Sequence, residues 1–320
     1  MRTRPIQSSS DPVSSHDAPM KPQNNEAHVS VLLHEAIELL EIKKNDVVVD
    51  ATLGGAGHAH TIVNKLGPKG IFIGFDLDTD AIQRATSKLE DSKCRVELIQ
   101  ANFRTIKSAL KEKGIESVDS ALFDLGWSSF QLEAKRGFSF LKDEPLGMTY
   151  AKDSGVHAIT ASLIVNDWGE ESIADIIYGW GEERHSRRIA KAIVESRAKN
   201  PIRTSLQLSE IIKSAVPNFY RRGRIHPATR TFQALRIAVN DELGAIQEAL
   251  LNTWDILNPG GKIAVISFHS IEDRLVKRFF AEKEKNGQGT RVTKKPIIPS
   301  EQELQQNPRA RSAKLRVITK

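Results

Sequence analysis

VVVDATLGGAGHAH, residues 47–60, joins a β-branched apolar run to a loop rich in glycine and alanine. The run ends at Asp50, and the small residues after it permit a tight turn before a helix. This order is typical of a buried strand that leads through a loop into a helix. The stretch therefore predicts the first strand of an α/β sheet, with a ligand site in the loop that follows.

Strand-like and helix-like segments alternate after this loop. Apolar runs at 71–76, 95–100 and 117–124 predict strands, and helical spacing at 80–89 and 103–114 predicts helices between them. Helices of this length between strands indicate a parallel sheet with helices on both faces.

The alternation breaks between about 140 and 225, where the spacing is helical and no convincing strand occurs. Beyond this segment four elements are predicted: one long helix over 227–257 that begins at Pro227, a strand over 262–268, a helix over 271–284 and a closing strand over 313–320. A helical module is thus inserted between the fourth and fifth strands. The predicted divisions are a disordered tail over 1–27, a sheet domain over 28–140 and 226–320, and an all-helical substrate domain over 141–225.

Composition narrows the class of protein. Cys94 is the only cysteine, which excludes an intrachain disulfide and a thiolate metal site and suits a reducing cytosol. No apolar run approaches the roughly 20 residues that a membrane span needs. The first 27 residues lack the apolar middle of a secretory signal. We therefore expect a cytoplasmic protein that is not a membrane protein; the oligomeric state stays open, with a homodimer as one option.

No metal site is expected, because the histidines show no ligand pattern with carboxylates or thiols. The histidines considered are His34, His58, His60 and His269.

Positive charge is concentrated in one segment. Residues 184–224 hold eleven Lys or Arg against Glu195 and Glu210, a net charge of +9, whereas the whole chain carries +6. The remainder therefore sums to −3. A solvated helix face is the usual explanation for such charge, but this imbalance favours contacts with RNA phosphates. The candidate phosphate-binding residues are Arg221, Arg222, Arg224, Arg230 and Arg236, with Arg309 and Arg311 as extensions, although helix arginines also pair with local carboxylates such as Glu242.

Polar or glycine-rich residues follow every predicted strand of the sheet except the last. Ligands in open α/β sheets sit outside the carboxyl ends of the strands, so these residues should line one site. They are Asp50 to His58, Asp76, Asn102 with Phe103, Asp124 to Ser129, and Ser267 to Ser270. Within the last group, Ser270 and Asp273 match a helix capping box, which leaves His269 as the better site candidate.

The loop after Asp50 fits a sulfonium ligand better than a phosphate. His60 stands where a dinucleotide loop needs a small residue, and no Gly-Lys-Ser/Thr of a Walker loop follows. S-adenosylmethionine has a sulfonium and an amino group but no phosphate, so acidic strand ends suit it. Asp76 is placed to take two ribose hydroxyls, as it would in an NAD site. A loop whose glycines serve only a turn remains the plain alternative.

Several longer blocks together resemble the bacterial 16S rRNA cytosine-N4 methyltransferases (RsmH or MraW). The resemblance covers about His28 to Lys320. It rests on HVSVLLHEAIELL, VDATLGGAGH, FDLD, DLGWSSFQLE, RGFSF, YGWGEERHSRRIAKAIVESR, HPATRTFQALRIAVNDEL, NPGGKIAVISFHSIEDRLVKRFF and NPRARSAKLRVI.

The resemblance implies a Rossmann-like class I methyltransferase sheet with an inserted helical substrate domain. It also implies methyl transfer from S-adenosylmethionine to N4 of a cytidine in the decoding centre of 16S rRNA, within the small ribosomal subunit. Asp76 would hold the ribose, Phe103 would pack near the adenine, and Asp124 would lie at the reacting end. The family's cofactor positions correspond to Gly54, Gly55, Ala56, Gly57, His58, Asp76, Phe103, Asp124 and Gln131.

The exocyclic amine of cytosine is a poor nucleophile, because its lone pair is delocalised into the ring. A nearby acceptor must orient it, and Asp124 is the candidate catalytic residue; the other interpretation is that Asp124 binds only the methionine amino group. Trp127 is either a base-stacking residue or a core residue. Ser128, Ser129 and Gln131 are candidate hydrogen-bond partners of the base.

Alternatives remain at the level of activity. Carbon-5 methylation needs a thiolate, and Cys94 precedes the third strand, away from the motif loops. Ribose 2′-O methylation is disfavoured only by the resemblance. PLGMTY (145–150) lacks an Asp and an Arg of the family pattern, where Gly147 and Thr149 stand, and DLGWSSFQLE and GGAGH also depart from it. An RNA-binding assembly factor without catalysis, and an NAD-dependent oxidoreductase, are therefore the other candidates.

Overall fold

The computed structural model describes residues 30–126, 134–151 and 158–320. The predicted tail over 1–27 lies outside the described residues. No helix in the described part of the chain is long and apolar enough to span a bilayer.

Seven strands form one sheet in the order β3-β2-β1-β4-β5-β7-β6. The five strands β1 to β5 pair in parallel, which confirms the predicted parallel sheet, while β7 pairs antiparallel with both β5 and β6. The bounds are β1 Val47–Asp50, β2 Ile71–Asp76, β3 Arg95–Gln100, β4 Val118–Asp124, β5 Leu257–Ser267, β6 Thr290–Arg291 and β7 Lys314–Thr319.

Helices cover both faces of the sheet, as predicted. Successive strand residues point to opposite faces, so Val48 packs into one core cluster with the helices over 33–40, 57–65 and 79–88, and Val49 packs into another with the helices over 106–112, 242–256 and 270–285. The described helices are α1 Leu33–Leu40, α2 Gly57–Lys65, α3 Thr79–Lys88, α4 Ile106–Glu112, α5 Ala161–Asp167, α6 Glu170–Gly181, α7 Ser186–Arg197, α8 Ser205–Ala215, α9 Asn218–Arg221, α10 Thr229–Asn240, α11 Glu242–Ile256, α12 Ser270–Lys285 and α13 Glu301–Gln306, with 3₁₀ turns at Phe103–Thr105 and Pro308–Ser312.

The single long helix predicted over 227–257 is wrong. Asp241 has a left-handed φ of 46° and separates α10 from α11. Aspartate tolerates this conformation better than most residues. The two helices bury different faces: Phe232 of α10 joins a third core cluster, whereas Ile246 of α11 packs beneath the sheet. Pro227 is not the first helical residue, since α10 begins at Thr229.

Most helices between β4 and β5 share the third core cluster, which is separate from the two clusters on the sheet, whereas α11 belongs to the second. The third cluster extends from Phe138 to Leu235 and contains the buried faces of α5 to α8 and of α10. Its members are mostly Ile, Leu, Val and Ala at helical spacing, so burial of these faces against one another stabilises the group. The predicted division of the chain at 140 and 225 stays a prediction.

The start of α12 differs from the predicted capping box of Ser270 and Asp273. His269 is the N-cap: its side chain accepts from the backbone N–H of Glu272, and the Glu272 side chain accepts from that of His269. The box is shifted by one residue because an imidazole nitrogen can accept a hydrogen bond as a serine oxygen does.

Gly181 is where α6 approaches α10 most closely. A Cβ built on it would lie 2.5 Å from the backbone carbonyl oxygen of Arg230, whereas one on Gly179, in the same helix, would meet nothing within 4 Å. We expect Gly181→Ala to lower the free energy of unfolding by about 1–3 kcal/mol, because neither backbone can yield without moving a helix. Gly179→Ala is the matched control and should raise it by about 0.5–1 kcal/mol through helix propensity.

Urea unfolding of both variants measures the two changes. Equal effects of the two substitutions would contradict the close approach of the helices.

Candidate active site at the carboxyl ends of the strands

Three aspartates from adjacent parallel strands lie at one edge of the sheet. Asp50 ends β1 and pairs with Gly74 of β2 and Leu122 of β4, so Asp76 and Asp124 lie two residues farther along their own strands. Parallel strands place their carboxyl ends on the same edge. The predicted clustering of these strand ends is confirmed.

Asp50 is buried and is linked to β4 through Thr52. The backbone N–H of Thr52 donates to Asp50 Oδ1 at 3.0 Å, and Thr52 Oγ1 accepts from the backbone N–H of Asp124 at 2.7 Å. Burial, reinforced by the charge of Asp76, raises the pKa of Asp50 to about 7, although hydrogen bonds from Thr52 oppose the shift. Asp50 is thus partly protonated near neutral pH.

Asp76 holds the glycine-rich loop against the end of β2. Its two carboxylate oxygens accept the backbone N–H groups of Gly54 and Asp78, each at 2.9 Å. Burial raises the pKa of Asp76, and these two hydrogen bonds work against the rise. Each carboxylate oxygen retains a second lone pair, which is the capacity that a ribose hydroxyl needs. The ribose contact itself stays a prediction.

The loop reaches α2 through two left-handed residues. Gly54 has φ 49° and Ala56, the N-cap of α2, has φ 57°. The ammonium of Lys88 donates to the carbonyl of Gly55 at 2.7 Å and holds the loop from outside. A Cβ on Gly57 would lie 2.0 Å from Ser30 Oγ, so this glycine allows the segment at Ser30 to cross the loop.

His58 connects that crossing segment to Asp124. Its Nε2 lies 3.1 Å from the carbonyl oxygen of Val31, and its Nδ1 lies 3.6 Å from Asp124 Oδ2. A carbonyl oxygen accepts only, so Nε2 carries a hydrogen and Nδ1 faces the carboxylate. Nδ1 of His58 thus faces Asp124 Oδ2 from just beyond hydrogen-bond distance.

Of the three aspartates at this edge, Asp124 has the fewest hydrogen bonds to its carboxylate among the described residues. Its Oδ1 is buried and has no hydrogen-bond partner among the residues that the structure describes. Burial, followed by the charges of Asp50 and Glu272, raises the pKa of Asp124 well above its ordinary value. A buried polar atom without a partner is costly unless a ligand satisfies it. The site therefore favours a ligand that brings positive charge or a hydrogen-bond donor to Oδ1.

Phe103 follows β3 at the same edge and is partly buried. Its ring meets that of Phe123 edge to face, with centroids 6.0 Å apart. The residue before it, Asn102, accepts the backbone N–H of Arg104 and fixes the turn. Phe103 is thus held beside the three strands that carry the aspartates, while adenine packing on it stays a prediction.

Four predicted site residues lie outside the described residues: Trp127, Ser128, Ser129 and Gln131. Their expected roles stay predictions.

Arg236 is not part of an exposed phosphate track, in contrast to the expectation from sequence. It is 9% exposed, and its guanidinium binds both carboxylate oxygens of Glu242, at 2.7 and 2.9 Å. The hydroxyl of Tyr150 donates to Glu242 as well, at 2.7 Å. Arg236 therefore neutralises buried carboxylates, which was the alternative that the sequence left open.

His269 lies beside these charges rather than in open solvent. Its Nε2 is 3.0 Å from Glu272 Oε1, and Arg236 Nη2 is 4.0 Å from the same oxygen. Burial alone would raise the pKa of Glu272, but the hydrogen bond and charge of His269 and the charge of Arg236 hold it below its ordinary value. The charge of Glu272 in turn raises the pKa of Asp124. The charged group of Arg236, Glu242, His269 and Glu272 therefore borders the site.

Ligand atoms of Glu242, His269 and Glu272 lie within 4.8 Å of one another. The sequence did not anticipate this pairing of a histidine with carboxylates. The Arg236 guanidinium already supplies the positive charge that a metal ion would bring. We therefore assign this cluster a structural role.

The remaining candidate arginines lie at the surface. Arg221, Arg222 and Arg224 are exposed, although Arg221 also donates to the carbonyls of Val216 and Ser214. Arg230 is partly exposed and donates to the carbonyl of Glu182. Arg309 and Arg311 are exposed on the turn before β7.

Arg136 is a site residue that the sequence analysis missed. Its guanidinium binds Asp78 Oδ2 at 2.8 Å and the carbonyl of Tyr150 at 2.6 Å. Asp78 is also the N-cap of α3 and donates its backbone N–H to Asp76. The contact joins segments 58 residues apart, and no local spacing signals such a pair.

The sequence model of the MraW methylase family matches residues 25–320. A protein named ribosomal RNA small subunit methyltransferase H from Brevibacillus brevis is 46% identical over 309 residues, 92% of this chain and 98% of that protein. The protein of the same name from Clostridioides difficile has the same identity and coverage. Among solved structures, an rRNA methylase from Streptococcus thermophilus has a TM-score of 0.45 at 12% identity, over 92% of this chain and 99% of that chain, a similarity too low to support any inference.

The raised pKa of Asp50 predicts a specific pH dependence of stability. The unfolded chain releases this proton near pH 3.8 and the folded protein near pH 7. Between these values the folded state binds more protons, so the contribution of Asp50 to the free energy of unfolding falls as pH rises, by about 4 kcal/mol in total.

Asp50→Asn removes this titration while keeping an acceptor for Thr52. We expect its stability relative to the wild type to grow as pH rises from 3.8 to about 7 and then to level off. Urea unfolding across this interval measures the difference. A difference that is constant with pH would show that Asp50 does not titrate there.

Proposed function

Because the chain belongs to the MraW methylase family, we propose that it transfers a methyl group from S-adenosylmethionine to RNA of the small ribosomal subunit. The family match spans nearly all described residues, and the relatives named for this activity are 46% identical over 92% of the chain. The single observation that carries the proposal beyond the family is Asp124, a partly exposed strand-end carboxylate whose buried Oδ1 has no hydrogen-bond partner among the described residues.

The edge of the sheet fits the methyl donor. Asp50 is buried, Asp76 and Asp124 are partly buried, and the pKa of each carboxyl is raised, so the ligand-free site favours bound positive charge. S-adenosylmethionine brings a sulfonium and an ammonium and, when bound, supplies the methyl electrophile. A dinucleotide would bring phosphates toward the same carboxylates, which disfavours an oxidoreductase.

We assign the donor to the residues of the family's cofactor positions. Gly54 and Gly55 are partly exposed in the loop between β1 and α2, Ala56 is the buried N-cap of α2, and Gly57 and His58 begin that helix. Asp76 would take the ribose hydroxyls and Phe103 the adenine. Gln131 completes the set by its position in the family motif.

The finer proposal is that the acceptor is N4 of a cytidine in the decoding centre of 16S rRNA. An exocyclic amine loses a proton as the new N–C bond forms and the S–C bond breaks, so a nearby acceptor assists. Asp124 Oδ1 would accept a hydrogen bond from the amine and then its proton. His58, at 3.6 Å from Oδ2, would stabilise the proton on Asp124 or receive it.

Asp124 must be ionised for this role, although burial favours its protonated form. The positive charge of the bound donor lowers the pKa of a nearby carboxylate. Binding of the donor would therefore favour the ionised form of Asp124. Binding of the donor's amino group by Asp124 is the competing role.

RNA contact is supported by the charge of the helical segment. Arg222 and Arg224 lie exposed in the segment 184–224, whose net charge is +9. Backbone phosphates neutralise such charge and release counterions. A ribosomal substrate also implies that the protein works in the cytoplasm. The divergence at Gly147 and Thr149 keeps one alternative open, an RNA-binding assembly factor with weakened catalysis.

The test is transfer of tritium from labelled S-adenosylmethionine to small subunits that lack the modification. We expect the wild type to label one cytidine and Asp124→Asn to lower the rate by at least ~100-fold, the lower end of general base contributions. The variant should unfold at the same temperature as the wild type or higher, because asparagine cannot ionise at a position where burial disfavours the charged form.

Asp255→Asn is the matched control, since Asp255 is exposed and pairs only with the surface residue Lys107 among the described residues; it should label at the wild-type rate. Full activity of Asp124→Asn would refute the assigned role. Binding of subunits by the wild type without any label would favour the assembly factor.

A further inference from the structure

A groove on the helical segment combines exposed apolar side chains with arginines. We call it the Phe219 groove. It has a volume of about 390 Å³, within the ~300–1,000 Å³ typical of ligand clefts, and is lined by Arg184, Phe219, Tyr220, Arg224, Ile225 and Arg230. It lies apart from Asp50, Asp76 and Asp124.

The apolar part of the groove is unusually exposed. Phe219 on the short helix α9 is 69% exposed, and Ile225 is 47% exposed. Large apolar side chains that meet solvent together mark interaction sites more often than isolated ones do.

The wall beside Phe219 is held in place. The Tyr220 hydroxyl donates to Glu183 Oε2 at 2.5 Å, and the Tyr220 ring packs edge to face on His185. The Arg184 guanidinium carbon lies 5.1 Å from the centre of the same ring. Little ordering of this wall is needed when a ligand binds.

The charge at the groove is positive. Arg184, Arg224 and Arg230 line it, and no carboxylate does so among the described residues. The nearby Glu183 is fully buried and engaged by Tyr220 and by the backbone of His185. A polyanion is therefore the complementary ligand.

A flat ring flanked by arginines is the arrangement that binds single-stranded nucleic acid, with bases on the ring and phosphates on the cations. We propose that the Phe219 groove binds one unstacked nucleotide of single-stranded RNA, with its base on Phe219 and adjoining phosphates on Arg224 and Arg230. The inference rests on the proposed function and adds a substrate subsite outside the methyl-transfer site.

The groove is close enough to serve the same RNA. Arg230 lies on α10 with Arg236, six residues apart, or about 9 Å along the helix axis, and the charged group around Arg236 borders Asp124. The groove and the charged group that borders Asp124 are thus joined by one helix.

The experiment measures binding of fluorescein-labelled oligouridylate to the full chain by fluorescence anisotropy. Phe219→Ala should weaken binding about tenfold, because one stacked base is lost. Phe219→Trp should bind like the wild type. Tyr178→Ala is the matched control, since Tyr178 is 68% exposed on α6 away from the groove, and should change nothing.

Two further measurements separate stacking from charge. An abasic oligomer of equal length should bind wild type and Phe219→Ala equally, since it has no base to stack. Arg224→Ala should weaken both oligomers and lower the slope of log affinity against log salt by about one.

The outcomes are distinct. Oligouridylate binding that is absent in the wild type or unchanged in Phe219→Ala would overturn the inference. Weaker binding of whole small subunits by Phe219→Ala, without weaker oligouridylate binding, would also overturn it and indicate a protein-docking surface. If the wild type transfers no methyl group while the groove binds RNA as described, the proposed function fails and the subsite stands.

Discussion

Removal of three strand-end carboxylates from water, in part or in full, is the constraint on which this site depends. Three adjacent parallel strands deliver Asp50, Asp76 and Asp124 to one edge, and the pKa of each carboxyl is raised, with burial as the largest cause. Neighbouring charges add to the shift at Asp50 and Asp124. Such an arrangement is unfavourable in the free protein and becomes favourable when a cation binds. The fold alone therefore makes this site selective for a positively charged ligand.

The surrounding contacts hold the carboxylates in place without neutralising them. Asp50 accepts a hydrogen bond from the backbone of Thr52, and Asp76 accepts from the backbone N–H groups of Gly54 and Asp78. The Thr52 hydroxyl also accepts from the backbone N–H of Asp124 and so links the end of β1 to β4. Cations of the protein bind other acids instead: Arg136 binds Asp78, and Arg236 binds Glu242. Removal of one partner from such a buried pair would leave a costly unpaired charge beside the site.

Much of this architecture follows from local sequence. The strands 47–50, 71–76 and 118–124 could be predicted because each apolar run stops at an aspartate. Parallel strands bring these aspartates to the same edge of the sheet. The break between two helices at Asp241 could not be predicted, because the apolar spacing continues through it, although α10 and α11 pack into different core clusters.

Pairs of side chains that are far apart in the sequence could not be predicted either. Arg236 looked like an RNA contact until its burial beside Glu242 was known, and Arg136 gave no signal at all. Exposure and pairing depend on how helices pack, which periodicity does not encode. The N-cap role of His269 was missed because serine is the more common cap.

Proton release on donor binding tests the carboxylate edge most directly. Titration calorimetry of S-adenosylmethionine into the protein near pH 7, in buffers of different ionisation enthalpy, counts the protons that leave. Since Asp50 is partly protonated there, binding of a cation should release protons, and Asp50→Asn should release fewer. Tight binding with no proton release in any buffer would contradict the account, because the carboxylates would then already be ionised in the free protein.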